Sequence, residues 1–262
     1  MVGTFKIVTL AAAINEKKVN IFEDTYNDTG SIKVANSTLH CWKRKGHGHE
    51  TFVQVVENSC NPGFVVLGQK LGKEKLFEYI TKLGFGKKTG IDLNGEATGI
   101  LFNLDNVGPV ELATTAFGQG ISVTAIQQVN AVSAIVNGGT LYTPYIVSSV
   151  GNKSNIPKIK SKNIITKETS NLVKYALESV VANGSGRNAY IESYRIGGKT
   201  GTAQKVGSDG RYMYGNYVLS FIGFMPSNDP EYVIYIALDH PTGVTQYGGV
   251  VSAPIARNVL KD

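Results

Sequence analysis

The stretch that most limits the fold of this chain is Ile196-Gly197-Gly198-Lys199-Thr200-Gly201-Thr202-Ala203-Gln204, followed by Phe221-Ile222 and the apolar run Tyr232-Val233-Ile234-Tyr235-Ile236-Ala237-Leu238. Successive β-prone runs at this spacing read as a small antiparallel sheet, and the glycines give its first strand a bare, approachable backbone. Such an edge accepts an extended peptide. Lys199 supplies a positive charge, Gly201 leaves the backbone open, and Thr200 and Thr202 offer hydroxyl donors, a set suited to a ligand ending in a carboxylate. Taken alone, Lys-Thr-Gly is more commonly a glycine-rich turn beside a solvated lysine, so its weight depends on the rest of the chain.

Near the other end, Phe5 to Asn15 is apolar almost all round, broken by Lys6 and Thr9, which predicts a helix buried on every side. A lysine in its first turn either snorkels to solvent or serves as a base whose pKa is lowered by burial and a second cation. Residues 20–45 predict a hairpin, turning through Asp28-Thr29-Gly30 and Ala35-Asn36-Ser37-Thr38 and ending in His40-Cys41-Trp42. Cys41, His47 and His49 fall close together, with Asp28 across the hairpin and Cys60 downstream. A tetrahedral zinc site on Cys41, His47, His49 and Asp28 is one reading; a glycine turn carrying surface histidines is the other.

Thr51 to Asn58 and Gly63 to Leu71 read as helices with Ser59-Cys60-Asn61-Pro62 between them, where a Ser and an Asn two residues apart can face one cleft or act as cap and turn. Further helices are expected at 74–83, 123–136 and 166–181, with a closing one from Val250. Thr140 to Val150 reads as one short strand, Gly151 to Lys162 as an exposed lysine-rich excursion, and 217–225 and 231–238 as strands. With 262 residues, 42% of them hydrophobic, the chain can bury a sizeable core. The net charge of +6 favours anionic partners, but aromatics are not interleaved with arginine, which argues against nucleic acid. No apolar run approaches the roughly eighteen residues of a membrane span, and none resembles a signal peptide.

Lys6 on a buried helix, Ser59-x-Asn61 at an interhelical turn and Lys199-Thr200-Gly201 on an edge strand form a known set for acyl-serine enzymes. With Thr4-Phe5-Lys6, His40-Cys41-Trp42, Gly46-His47-Gly48, Phe117-Gly118-Gln119-Gly120-Ile121-Ser122-Val123-Thr124 and Asn137-Gly138-Gly139, the chain resembles the transpeptidase domain of class B penicillin-binding proteins, of the sporulation and division type of Gram-positive bacteria. The resemblance covers residues 1–262 as one such domain, partial at its N-terminus. It implies an α+β fold, an antiparallel sheet with helices on both sides, the first strands of that sheet being absent here. It implies a D,D-transpeptidase of the peptidoglycan, with stem peptides ending in D-Ala-D-Ala and β-lactams as ligands and no cofactor required. A glycosyltransferase partner and a place on the outer face of the cytoplasmic membrane follow for the intact parent.

In that chemistry a serine three residues before Lys6 attacks the penultimate D-Ala carbonyl, and Lys6 takes its proton. Ser59 relays the proton to the leaving amine with help from Lys199. Asn61 holds the substrate amide, Thr200 and Thr202 hold the terminal carboxylate, and the Thr202 N–H supplies half of the oxyanion hole. Here the sequence departs from the family, because the nucleophile position is Gly3. Thr4 does not replace it, since two residues from Lys6 is about 200° around a helix. A truncated reading frame or excised fragment is the expected account. A penicillin-binding-like module that recognises stem peptides or a synthase partner is the alternative. A β-lactam hydrolase stands behind both, since no glutamate-based deacylation motif is visible. For the cysteines the resemblance leaves three states open: a disulfide from Cys60 to Cys41, two free thiols, or zinc.

Overall fold

A computed structural model describes residues 2–207 and 212–262. Helix α1, Val2–Asn15, is the axis of the main core. Phe5, Val8, Leu10, Ala11, Ala12 and Ala13 are all 0% exposed, so the helix is enclosed on every face. Three consecutive alanines let neighbouring elements approach closely, and Thr9 satisfies its buried hydroxyl by donating to the Ala116 carbonyl at 2.7 Å.

Strands β1 (Thr25–Asp28), β2 (Ser31–Val34), β3 (Ser37–His40) and β4 (Gly48–Thr51) follow. The predicted hairpin is β2–β3, whereas β1 pairs with β4, setting Asn27 opposite His49 and Asp28 opposite Gly48. Helices α2 (Phe52–Glu57), α3 (Asn61–Leu71), α4 (Lys73–Lys82), α5 (Pro109–Ala116) and α6 (Ala125–Val136) then pack on the core. Thr51 and Thr124 start α2 and α6 with reciprocal capping boxes to Gln54 and Gln127, which satisfy the first orphan N–H groups.

The expected strand from Thr140 to Val150 is instead two pieces, β5 (Leu141–Thr143) and β6 (Ser149–Val150). The expected excursion folds back on them, with β7 (Lys153–Ser154) pairing β6 and β8 (Lys158–Ser161) pairing β5. Its lysines stay exposed while the backbone finds partners, and that pairing is invisible to composition. Helix α7 spans Lys167–Asn183.

Strands β9 (Gly197–Val206), β10 (Tyr212–Met225) and β11 (Tyr232–Asp239) form an antiparallel sheet in the order β11-β10-β9, closed by helix α8, Gly248–Lys261. Both faces carry helices, as the resemblance implies. Alternation along β10 divides the cores: Ile222 and Phe224 enter the main core with α1, while Phe221 joins Ile196, Ala253, Ala256 and Leu260 under α8. The fully buried Phe221, Ile222 and Phe224 each contribute about 1.5–3 kcal/mol of transfer free energy. Among the described strands of this sheet, β9 is an edge, and α1 lies against it.

Candidate active site

The turn between α2 and α3 is made by a residue in an unusual conformation. Ser59 has φ of +53°, a left-handed geometry uncommon for a side chain with a Cβ and found where the surroundings impose it. Cys60 is 0% exposed and N-caps α3, its sulfur accepting the Gly63 N–H at 3.4 Å. With Cys60 turned into the core, Ser59 and Asn61 both face Lys6.

Lys6 Nζ donates to the Ser59 carbonyl at 2.8 Å, to Ser59 Oγ at 3.0 Å and to Asn61 Oδ1 at 2.7 Å, so each ammonium proton has an acceptor. Asn61 is fixed in turn by donating from Nδ2 to the His40 carbonyl at 3.2 Å. Lys6 is 2% exposed and does not snorkel; burial lowers its pKa from 10.5 to about 8.

Lys199 is 0% exposed and donates to the Thr200 carbonyl at 3.3 Å. Burial, then the like charge of Lys6, pushes its pKa well below the usual lysine value. The two lysines therefore share one enclosed region, and the charge on Lys6 disfavours that on Lys199.

Gly3 sits one helical turn before Lys6, directly against β9. A Cβ there would lie 2.2 Å from the Thr200 carbonyl oxygen and 2.7 Å from the Gly201 Cα. Thr4 is 0% exposed on the core side of α1, with its carbonyl accepting from Gln128 Nε2 at 3.0 Å. The helix thus turns the neighbouring hydroxyl into the core and sets a bare glycine on the strand.

Thr200 and Thr202 project toward α8. Thr200 Oγ1 is bonded to Ser185 Oγ at 3.1 Å, and Thr202 Oγ1 accepts the Gly248 N–H at 3.1 Å, leaving its own proton to donate. Sequence reasoning missed Ser185, Gly248 and Gly249. Gly248 has a readable cause: a Cβ on it would stand 2.4 Å from the Gly201 carbonyl, so only glycine lets α8 start against β9. The positive end of that helix adds to the field of Lys199 beside the strand.

Behind the Ser59–Asn61 turn, Asp28, Cys41, His47 and Cys60 bring one donor atom each within 4.8 Å of one another. His49 is not among them, which corrects the expected set. Gly48, at φ of +80°, breaks the alternation between the two histidines, so His47 points inward from the loop while His49 lies exposed on β4 opposite Asn27. Cys60 takes the place that had been given to His49. No helix among the described residues is long and apolar enough to cross a membrane.

A buried lysine bonded to a Ser-x-Asn turn, beside a Lys-Thr-Gly edge strand, defines the penicillin-binding class of acyl-transfer folds. Residues 3–261 match the family model of the penicillin binding protein transpeptidase domain, and the chain belongs to that family. It is 60% identical over 266 residues to stage V sporulation protein D of Bacillus subtilis (strain 168), covering 99% of this chain and 41% of that protein. Peptidoglycan D,D-transpeptidase FtsI of Escherichia coli (strain K12) is 31% identical over 231 residues, 84% of this chain and 38% of that protein. The chain therefore spans less than half the length of these relatives. Among solved structures, the TP domain of Burkholderia pseudomallei penicillin-binding protein 3 superposes with a TM-score of 0.87 at 27% identity, covering 99% of this chain and 77% of that one. Penicillin-binding protein 3 of Mycobacterium tuberculosis, complexed with aztreonam, gives 0.88 at 29% identity over 99% of this chain and 61% of that one.

Proposed function

We propose that this chain is the acyl-transfer domain of a peptidoglycan D,D-transpeptidase that keeps its substrate-recognition and proton-handling groups but, as written, lacks the nucleophile. The observation that carries the reading is the three-way bond of Lys6 to the Ser59 carbonyl, Ser59 Oγ and Asn61 Oδ1, with Gly3 one turn away against Thr200. Lys6, whose pKa is near 8, is a base for the proton of a hydroxyl at position 3. Ser59 Oγ carries that proton toward a leaving amine, and Lys199 fixes the field around it. Asn61 orients the peptide amide, while Thr202 and the Thr200–Ser185 pair receive the terminal carboxylate. The Thr202 N–H supplies one oxyanion donor.

Gly3 supplies no oxygen, so the chain stops at non-covalent recognition of stem peptides ending in D-Ala-D-Ala and of β-lactams. The lack of room for a Cβ at Gly3 also favours the second reading, a non-catalytic module that recognises stem peptides or a synthase partner. The relation to the Bacillus sporulation protein favours a role in sporulation, on the outer face of the cytoplasmic membrane beside a glycosyltransferase. The test is calorimetric titration with a stem pentapeptide ending in D-Ala-D-Ala and with its L-Ala-L-Ala isomer. Binding of the D,D peptide alone is expected, and its loss in Thr202→Val. Equal binding of both isomers, or none, overturns it.

A further inference from the structure

Asp28 closes β1, Cys41 follows β3, His47 lies in the loop before β4 and Cys60 caps α3, so four separate chain segments deliver one donor each to the same point. Asp28 and Cys41 are 1% exposed, Cys60 is 0%, and the His47 side chain is 4%. His47 Nδ1 lies 2.8 Å from Asp28 Oδ2 and 3.5 Å from Cys41 Sγ. Ligands at ordinary Zn–N and Zn–S distances of about 2.0–2.3 Å sit about 3.3–3.8 Å from one another in a tetrahedron. The four donor atoms, all within 4.8 Å of one another, need only a small contraction to reach that figure.

The donors are held in place by their own frame. Asp28 Oδ1 accepts the Gly30 N–H at 2.8 Å and Oδ2 the His47 N–H at 3.1 Å, which aims the carboxylate at the cluster. Gly46 has φ of +76°, and a Cβ on it would stand 2.1 Å from the Asp28 carbonyl, so the loop bearing His47 is pressed onto β1. Trp42 covers this loop, its ring 5.3 Å from that of His47 and its Nε1 donating to the Asn58 carbonyl at 2.8 Å. Glu50 borders the cluster. It is 2% exposed, its Oε2 has no partner among the described residues, and that atom lies 4.0 Å from His47 Nδ1.

We propose that Asp28, Cys41, His47 and Cys60 form a closed structural site for one thiophilic divalent cation, of which Zn²⁺ fits best. Two sulfurs, an imidazole nitrogen and one carboxylate oxygen are a zinc donor set, and no donor position is left over for a reacting water. A disulfide between Cys41 and Cys60 would use neither Asp28 nor His47. Binding displaces one proton from each thiol to solvent, leaving the site with a net charge of about −1. Because Cys60 stands between Ser59 and Asn61, the metal ties the turn that holds Lys6 to the β1–β4 ribbon. It acts as a positioning element and enters no step of acyl transfer, so the site stands whether or not the chain binds stem peptides.

The test is titration of the whole reduced chain with Co²⁺ and with Zn²⁺ after removal of adventitious metal, with metal content read by mass spectrometry. About one equivalent is expected, with the intense visible bands of tetrahedral thiolate-bound Co²⁺ displaced by Zn²⁺. Affinity falls at least about ten-fold in Asp28→Asn and in His47→Gln, and is unchanged in His49→Ala. Circular dichroism of each variant confirms that it is folded. Weak octahedral Co²⁺ spectra in the parent chain, equal loss in His49→Ala, or recovery of a Cys41–Cys60 disulfide from chain prepared with Zn²⁺ present would overturn the proposal.

Discussion

Gly3 faces the carbonyl of Thr200 so closely that a Cβ on it would stand 2.2 Å from the oxygen. Helix α1 and strand β9 have closed onto each other where a side chain would otherwise stand between them. Both Gly3→Ala and Gly3→Ser must part the first turn of α1 from β9, and each is expected to cost about 1–3 kcal/mol. Guanidinium unfolding checks this. Because the clash belongs to the Cβ, the two variants should lose similar stability. A Gly3→Ala chain as stable as the parent would show that the first turn yields freely.

Lys6 Nζ and Asn61 Oδ1 are 2.7 Å apart, a charge-assisted bond inside the protein. Asn61→Ala leaves the ammonium short of an acceptor and is expected to cost about 1.5–3 kcal/mol. Lys6→Met removes the buried charge at similar volume, and the chain becomes as stable as the parent or more so. In the Lys6→Met background, Asn61→Ala loses most of its cost. A double-mutant cycle measures that coupling, and additivity of the two changes would contradict the bond.

Lys199 carries the alkaline signature. Its pKa in the fold is depressed, so between that value and the ordinary 10.5 the unfolded chain holds more protons than the folded one. Stability contributed by this site therefore rises with pH across that window, and the penalty of burying the charge is full below it. Comparing Lys199→Met with the parent isolates the effect. The variant's advantage should be largest below the depressed value and shrink as pH climbs toward 10.5. An advantage that grows with pH would contradict the burial of the charged form.

Gly248 lets α8 start against the Gly201 carbonyl, and its N–H bonds Thr202 Oγ1 at 3.1 Å. Gly248→Ala should push α8 off the strand, costing about 1–3 kcal/mol and abolishing stem-peptide binding. Calorimetry at a temperature where the variant is folded separates the two effects. Retained affinity would show that the hydroxyl of Thr202 does not depend on the helix.

Much of this arrangement can be read from local pattern. The enclosed helix around Phe5 to Ile14, the capped starts at Thr51, Thr124 and Thr166, and the glycine-rich strand with Lys199 each write their cause into adjacent residues. What escaped is non-local. The pairing of β1 with β4 spans the β2–β3 hairpin, and no periodicity announces it. His49 was expected beside His47 because the two are close in sequence, yet the positive φ of Gly48 turns them apart. Cys60 reads as part of a polar turn, and only the cap geometry of α3 shows that its sulfur is turned inward. Gly248 carries no signal in isolation, since its need arises from a carbonyl on another strand.

We hold that the cleft is complete except for the side chain of residue 3, which must part α1 from β9 to enter. Intact-mass spectrometry after incubation with a fluorescent penicillin tests it directly, on the parent chain and on Gly3→Ser side by side. No covalent adduct is expected on the parent, and a single penicilloyl adduct, mapped to position 3, is expected on Gly3→Ser. An adduct on the parent, with Ser59 beside Lys6 the first place to map it, would contradict the claim, as would a folded Gly3→Ser chain that takes no label.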